Sequence, residues 1–339
     1  MLEPPTPPLE DSHLRTGIGS WSYVAVFVGC QLVALLLVLW LASTPWFLTH
    51  DDYPWMYLTG YGVRAKHQDC DVVIVGDSTT LTGLDAKVIE QVTGLKTCNI
   101  ADGVTLPATV GSHFTLDTYL ENNKRPRFII GMYSPWRFQP QFKPFEDMHE
   151  EGMLYGVQYV RNRAFFMGLL KRPAWVARFG VWSGHQLIGE LVDRYIPGFR
   201  PPKYDTRAQR DSHNGSWTFP LPPQTSCHQV APNLPAGNIP RWPEAVAAFR
   251  QRYGVDGTQV IVNVSPQPDC EIGLEGLRKR TEGLHDNPFE TLPVSYFNEG
   301  DLHYSPEGSR YISIQAGNQI LALERQQDAR RQSADGTAP

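Results

Sequence analysis

Two short stretches hold residue types that together could carry out nucleophilic catalysis. The first is VVIVGDSTTLTGLD, residues 72–85, where Ser78 follows an apolar run and a Gly76-Asp77 turn. A hydroxyl at a strand-to-helix turn stands above the sheet edge, and the amides that follow can face a developing negative charge. The second is GDLHYSPEGSRYIS, residues 300–313, with Asp301 and His303 two positions apart. That spacing puts both on one side of an extended segment. A serine hydroxyl needs a base to take its proton, and an imidazole needs a carboxylate to fix its tautomer and stabilise its charged form. Ser78, His303 and Asp301 supply these three parts. Each stretch alone is weak, because Gly, Asp and Ser are ordinary turn residues and an isolated loop histidine is usually a surface polar group.

These residues can meet only if the chain folds so that the loops carrying them share one face. The sequence alternates strand-like and helix-like segments from about residue 70, the pattern of a parallel α/β sheet. Asp71-Val-Val-Ile-Val75 is a short β-branched run of the kind buried on both faces. A helix over 85–92 closed by Gly94, a strand over 96–101, a helix over 106–120 and a strand over 127–130 follow. Residues 137–240 interrupt the rhythm as a large insertion. Its 152–195 part mixes Arg161, Arg163, Lys171, Arg172 and Arg178 with Phe165, Phe166 and Trp175. That is either a membrane-surface face or helices packed over the core with a solvated basic side. A Pro-, Asn- and Ser-rich loop over 198–240 completes it. Regular structure resumes with a helix at 243–253, a strand at 259–264, a short helix at 273–284, a strand near 293–297 and a last helix at 306–324. Residues 326–339 read as a frayed tail. In a parallel sheet the loops after the strands lie on one face, so Ser78 and the Asp301-x-His303 pair can converge there.

On these residues the chain resembles the SGNH/GDSL hydrolases over 70–135 and 255–325. Gly76-Asp77-Ser78 is similar to the family's first block, with its nucleophilic serine. Asn99-Ile-Ala-Asp-Gly103 is similar to the second, whose glycine amide helps form the oxyanion hole. Asp301-Leu-His303 is similar to the last. The resemblance implies a three-layer, flavodoxin-like parallel sheet and a serine esterase or acyltransferase that needs no cofactor. The third block departs from the pattern: after the third strand the chain reads Gly131-Met-Tyr-Ser-Pro-Trp136, without the expected asparagine. Either Ser134 or a backbone amide takes its place, or the hole is incomplete, an omission worth roughly 10²–10³ in rate. The Asp-x-His spacing is closer to the membrane-anchored branch that acts in cell-envelope O-acylation. That likeness implies an acyl ester of a carbohydrate or envelope polymer as substrate, and a membrane O-acyltransferase as partner. The competing expectation is a non-catalytic scaffold or binding module of the same fold.

Composition fits a globular protein with one special segment. Of 339 residues, 41% are hydrophobic and 19% charged, which excludes a mainly disordered chain and a polytopic membrane protein. The net charge of −5 leaves no basic footprint for nucleic acid. No glycine-rich phosphate loop is present. Neither is a Cys/His cluster for zinc, so no metal is expected. Trp21 to Ala42 is an uncharged apolar run that covers a bilayer core of ~30 Å, with Trp21, Tyr23, Trp40 and Trp46 at its two ends. A signal-peptide core is shorter, and a buried helix is the other alternative.

The organisation read from the sequence is therefore a cytoplasmic tail (1–20), a transmembrane anchor (21–43), a linker (44–69), the α/β domain (70–325) and a polar tail (326–339). Arg15 precedes the apolar run, and Asp51 and Asp52 follow it. The positive-inside bias thus places the N-terminus in the cytoplasm and the domain outside. Asn263, at the end of the fourth strand, is a candidate pocket residue. Among the cysteines outside the anchor, Cys70 lies beside the first strand and Cys98 beside the second. The preferred pairing is Cys70–Cys98 and Cys227–Cys270, against four free thiols.

Overall fold

Val72–Gly76 (β1) is buried at all five positions, as its unbroken apolar run requires of a strand covered on both faces. The structure, a computed structural model, describes residues 20–42, 65–101, 110–111, 114–138, 209–210, 212–218, 221–227, 241–298 and 302–334, with scattered positions between 171 and 196. Around β1 lie Thr97–Asn99 (β2), Phe128–Tyr133 (β3) and Gln259–Val264 (β4). The strands are all parallel, in the order β2-β1-β3-β4. Beyond β1 the chain first pairs to one side and then crosses to the other. The crevice at the carboxyl ends of β1 and β3 is thus the topological switch point where ligands bind in open α/β sheets.

Successive side chains of these strands face opposite ways, and helices cover both faces. Val73, Val75, Ile129, Tyr133 and Val262 form one core with Leu116 and Tyr119 of α4 (Phe114–Asn122) and Val246, Phe249 and Tyr253 of α5 (Pro243–Tyr253). Val72, Ile74, Ile130, Met132 and Ile261 form the other, with Ala86 and Ile89 of α3 (Ala86–Thr93) and Ile312, Ala316 and Ile320 of α7 (Pro306–Ala334). The helices in chain order are α1 (Ser20–Ala42), α2 (Ser78–Gly83), α3 (Ala86–Thr93), α4 (Phe114–Asn122), α5 (Pro243–Tyr253), α6 (Leu274–Thr281) and α7 (Pro306–Ala334). Local signals set several ends. Asp85 caps α3 through Lys87 N at 2.9 Å, and Gly94 closes it in the left-handed region. A proline opens α5 and another opens α7.

Three expectations differ from the structure. The strand near 293–297 does not join the sheet. Instead Thr291–Leu292 (β6) pairs with Gln267–Pro268 (β5) in a separate ladder, and Val294–Tyr296 makes a 3₁₀ turn. The free edge of β4 is occupied by side chains: Val262 N donates to Asp286 Oδ2 (2.8 Å) and Val264 N to Asn287 Oδ1 (2.9 Å). Asn287 Nδ2 returns a bond to the Val264 carbonyl at 2.9 Å. Such side-chain plugs satisfy an edge that would otherwise recruit another strand. The last helix continues to Ala334 rather than fraying at 326, because Glu, Arg, Gln and Ala are good helix formers. Of the expected 106–120 helix, residues 110–111 form a turn and α4 covers Phe114–Asn122, while 106–109 and 112–113 lie outside the described residues.

Helix α1 stands apart. The window Trp21–Val38 has mean hydropathy 2.1 and none of it is buried against the protein, so the helix is long and apolar enough to cross a membrane. Two disulfides are present, Cys70–Cys98 and Cys227–Cys270, with Cα atoms 5.9 and 6.0 Å apart. The first follows from the register, since Cys98 lies opposite Val73 on the neighbouring parallel strand. Most of the 137–240 insertion, including the basic and aromatic stretch 152–170, lies outside the described residues.

Candidate functional site at the carboxyl edge of the sheet

Gly76 ends β1 where two elements converge. A Cβ placed there would lie 2.0 Å from the Met132 carbonyl oxygen and 2.2 Å from Thr80 Oγ1. Only glycine permits that approach, and Thr80 Oγ1 fills the space by donating to the Met132 carbonyl. The next residue, Asp77, is buried and organises the edge. Its Oδ1 accepts from Thr79 N (3.0 Å) and Thr79 Oγ1 (2.6 Å); its Oδ2 accepts from Ser134 N (2.9 Å) and Ser134 Oγ (2.6 Å). Four donors thus saturate one carboxylate and lock the end of β1 to the end of β3.

Ser78 is the first residue of α2 and half-buried. The amides of Thr79, Thr80 and Leu81 all bond to Asp77, through its side chain or its carbonyl. The Ser78 amide has no acceptor among the described residues, so it is the first-turn donor left open to a ligand oxygen.

The other sequence motif reaches the same helix. His303 is buried, at 8% exposed, and its carbonyl accepts from Asn298 N at 2.8 Å. Tyr304 forms an antiparallel bridge with Phe297, and its hydroxyl donates to the Pro266 carbonyl at 2.8 Å. The Tyr304 ring lies where a Cβ on Gly83 of α2 would meet it at 2.7 Å. Burial raises the Tyr304 phenol well above its usual value, and the Asp77 carboxylate adds to that rise. Ser313 of α7 completes the joint: its hydroxyl accepts from Asp85 N at 2.7 Å, donates to the Ser309 carbonyl at 2.6 Å and lies 3.3 Å from the Gly83 carbonyl. The segments bearing Ser78 and His303 are therefore packed on one another. Asp301 and Gly103 lie outside the described residues.

Two further candidate residues have side-chain partners within the protein. Ser134 or a backbone amide was expected to replace the third-block asparagine, or the hole to be incomplete; the Ser134 hydroxyl proton and amide both go to Asp77, so this hydroxyl is not left to donate. Asn263 points into the flank of the sheet, where its amide pairs with that of Gln319 on α7 (2.8 and 3.3 Å). It lines a cavity of about 520 Å³ with Leu84, Glu290 and Tyr311, between β4 and α7.

Sequence reasoning missed two arginines. Arg210 is fully buried and donates to the carbonyls of Gly215 (2.5 Å), Asn99 (3.3 Å) and Ala101 (3.5 Å). It joins the insertion to the end of β2. Nearby, Trp217 N donates to the Leu81 carbonyl (3.2 Å), and Ser216 Oγ accepts from Ala86 N (2.8 Å) and donates to the Leu84 carbonyl (2.9 Å). Only packing reveals these contacts; no local sequence signal marks them. Arg137 ends the 3₁₀ turn Pro135–Arg137 after β3. Burial pushes its guanidinium below the usual arginine value, and the Asp77 carboxylate opposes that.

No family model matches the chain. Comparison with curated proteins and with solved structures likewise gives no match. The described residues contain no cluster of three His, Cys, Asp or Glu side chains able to hold a metal.

Proposed function

We propose that the protein is a membrane-anchored serine esterase or O-acyltransferase of the SGNH type, acting outside the cytoplasm on acyl esters of a carbohydrate or envelope polymer. The observation that carries this reading is the position of Ser78. It opens a helix at the switch point of a parallel sheet, with an uncommitted amide, and the helix is packed against the His303-Tyr304 segment. In this mechanism His303 takes the Ser78 proton while Asp301 holds the imidazole. Ser78 Oγ bonds to the ester carbonyl carbon, and the amides of Ser78 and Gly103 receive the oxyanion. The alcohol leaves with the proton from His303. Water or a sugar hydroxyl then releases the acyl group. Two further features support the outside placement: disulfides persist in oxidising compartments, and Arg15 precedes the apolar helix while Asp51 and Asp52 follow it.

The test is hydrolysis of 4-nitrophenyl acetate by the full chain in detergent, beside Ser78→Ala and His303→Ala. Activity lost in both folded variants supports the triad, and activity retained in Ser78→Ala removes it.

A second reading is a non-catalytic scaffold that partners a membrane O-acyltransferase. The commitment of Ser134 to Asp77 favours it, since the Ser134 hydroxyl is not left to donate to an oxyanion. A scaffold keeps its cellular phenotype in Ser78→Ala; a catalyst loses it.

A further inference from the structure

The turn after β3 carries a charge with no evident structural use. Pro135 is buried, and the turn is closed by Arg137 N donating to the Ser134 carbonyl (2.8 Å), while the Arg137 carbonyl accepts from Val110 N (3.2 Å). Phe138 is buried in the core, and Arg280 Nη2 donates to the Trp136 carbonyl (3.1 Å) from beneath the Trp242 ring. The backbone on both sides of Arg137 is thus fixed, which fixes the root of its side chain at the carboxyl edge of the sheet.

The guanidinium itself is half-buried and has no hydrogen-bond acceptor or ion-pair partner among the described residues. The Asp77 carboxylate, on the residue before Ser78, acts on its charge. Asp77 is not available as a partner, because Thr79 and Ser134 already fill its four acceptor positions. Holding a charge partly out of water without pairing it is costly. The planar fork of five donors is suited to binding a carboxylate or phosphate in two-point contact. Other arginines of the domain show the contrast: Arg127, Arg250 and Arg252 each have a carboxylate, at 2.5, 2.8 and 2.8 Å.

We propose that Arg137 binds an anionic group, a carboxylate or a phosphate, of the molecule that docks at the Ser78 crevice. The ligand class is then an anionic ester or an anionic acceptor. This inference rests on the Ser78 crevice being the substrate site, but it concerns binding and does not require turnover.

The experiment uses the full chain carrying Ser78→Ala, in detergent, so that binding is read without chemistry. Thermal unfolding midpoints are followed while inorganic phosphate or glutarate is titrated at constant ionic strength. A saturable rise with either anion is expected, and the stronger of the two identifies the group. Arg137→Gln should abolish the rise, and Arg137→Lys should restore part of it with at least about 10-fold weaker binding, since an ammonium lacks the two-point geometry. Absence of a saturable rise with both anions overturns the proposal, as does a rise unchanged in Arg137→Gln. Circular dichroism of each variant establishes that it is folded; if Arg137→Gln is not, the Lys variant decides, and wild-type affinity there overturns the proposal. With Ser78 intact, Arg137→Gln should raise KM for mono-4-nitrophenyl glutarate by at least about 10-fold more than it raises KM for 4-nitrophenyl acetate. A chain that binds the anion but hydrolyses neither ester refutes the esterase reading while leaving the Arg137 site standing.

Discussion

Both donors of Ser134 converge on a single carboxylate oxygen of Asp77, the amide at 2.9 Å and the hydroxyl at 2.6 Å. The two residues lie 57 positions apart, at the ends of adjacent parallel strands. The bond pair therefore acts as a clasp across the switch point, and it sets the angle at which Ser78 leaves β1.

Breaking that clasp should be expensive. Asp77→Ala strands the Thr79 and Ser134 donors in a buried place, and each buried unsatisfied group costs about 1–3 kcal/mol. Asp77→Ala is expected to lower stability by about 3–5 kcal/mol, and Ser134→Ala by about 1–3 kcal/mol, both by urea unfolding. The double variant should be less destabilised than the sum of the two. Additive losses would refute the clasp.

Arg210 should be more sensitive to charge-conserving change than a surface arginine. It holds three main-chain carbonyls at the junction of the insertion with the end of β2. Arg210→Lys cannot span them and is expected to cost about 2–4 kcal/mol. It should also lower Ser78-dependent esterase rates by about 10-fold through small displacements at the crevice. Wild-type stability and rate in Arg210→Lys would exclude both effects.

His285 should make the domain lose stability toward acid. Burial holds its imidazole below the usual histidine value, and this outweighs the Asn287 carbonyl contact and the Asp286 charge. Its ring also packs edge-on against Phe138, with centroids 6.4 Å apart. With the folded value depressed, the unfolded chain binds more protons below about pH 6.5. Stability is therefore full above that pH and falls as pH drops toward the folded value. His285→Gln should flatten this part of the stability–pH curve, measured as urea midpoints between about pH 5 and 7. An unchanged slope would remove His285 from the acid response.

The disulfides should contribute strongly to stability. Their loops span 28 and 43 residues, for which chain-entropy reasoning gives about 3–4 kcal/mol each. Reduction under native conditions should lower the thermal midpoint, and Cys227→Ser/Cys270→Ser should reproduce the larger part. An impermeant thiol reagent applied to intact cells, before and after reduction, also tests the side of the membrane. Labelling of Cys227 and Cys270 only after lysis would place the domain in the cytoplasm.

Much of the scaffold was legible because local and long-range signals agree. Strand β4 and helix α5 fall where the sequence places them, since one is a β-branched run and the other begins with Pro243 and is followed by Gly254. Helix α2 was not legible. Its residues Ser78–Gly83 include three threonines, a glycine and a serine, with no apolar period, and the helix forms because Asp77 caps it and the core covers it. The misplaced strand near 293–297 has a similar cause: its apolar residues are real, but Asp286 and Asn287 already occupy the edge it would need. Ser78 and His303 are singled out by residue type and spacing, and folding packs the segments that carry them on one another. The roles of Asp77, Ser134 and Arg137 depend on which neighbour saturates which atom, and that is decided only by folding.

The Cys227–Cys270 bond makes residues 227–270 a covalent ring that contains α5 and β4. A single peptide cut anywhere inside the ring leaves the polypeptide in one piece. The edge strand and its helix can then be nicked without being shed, and the damage shows only on a reducing gel.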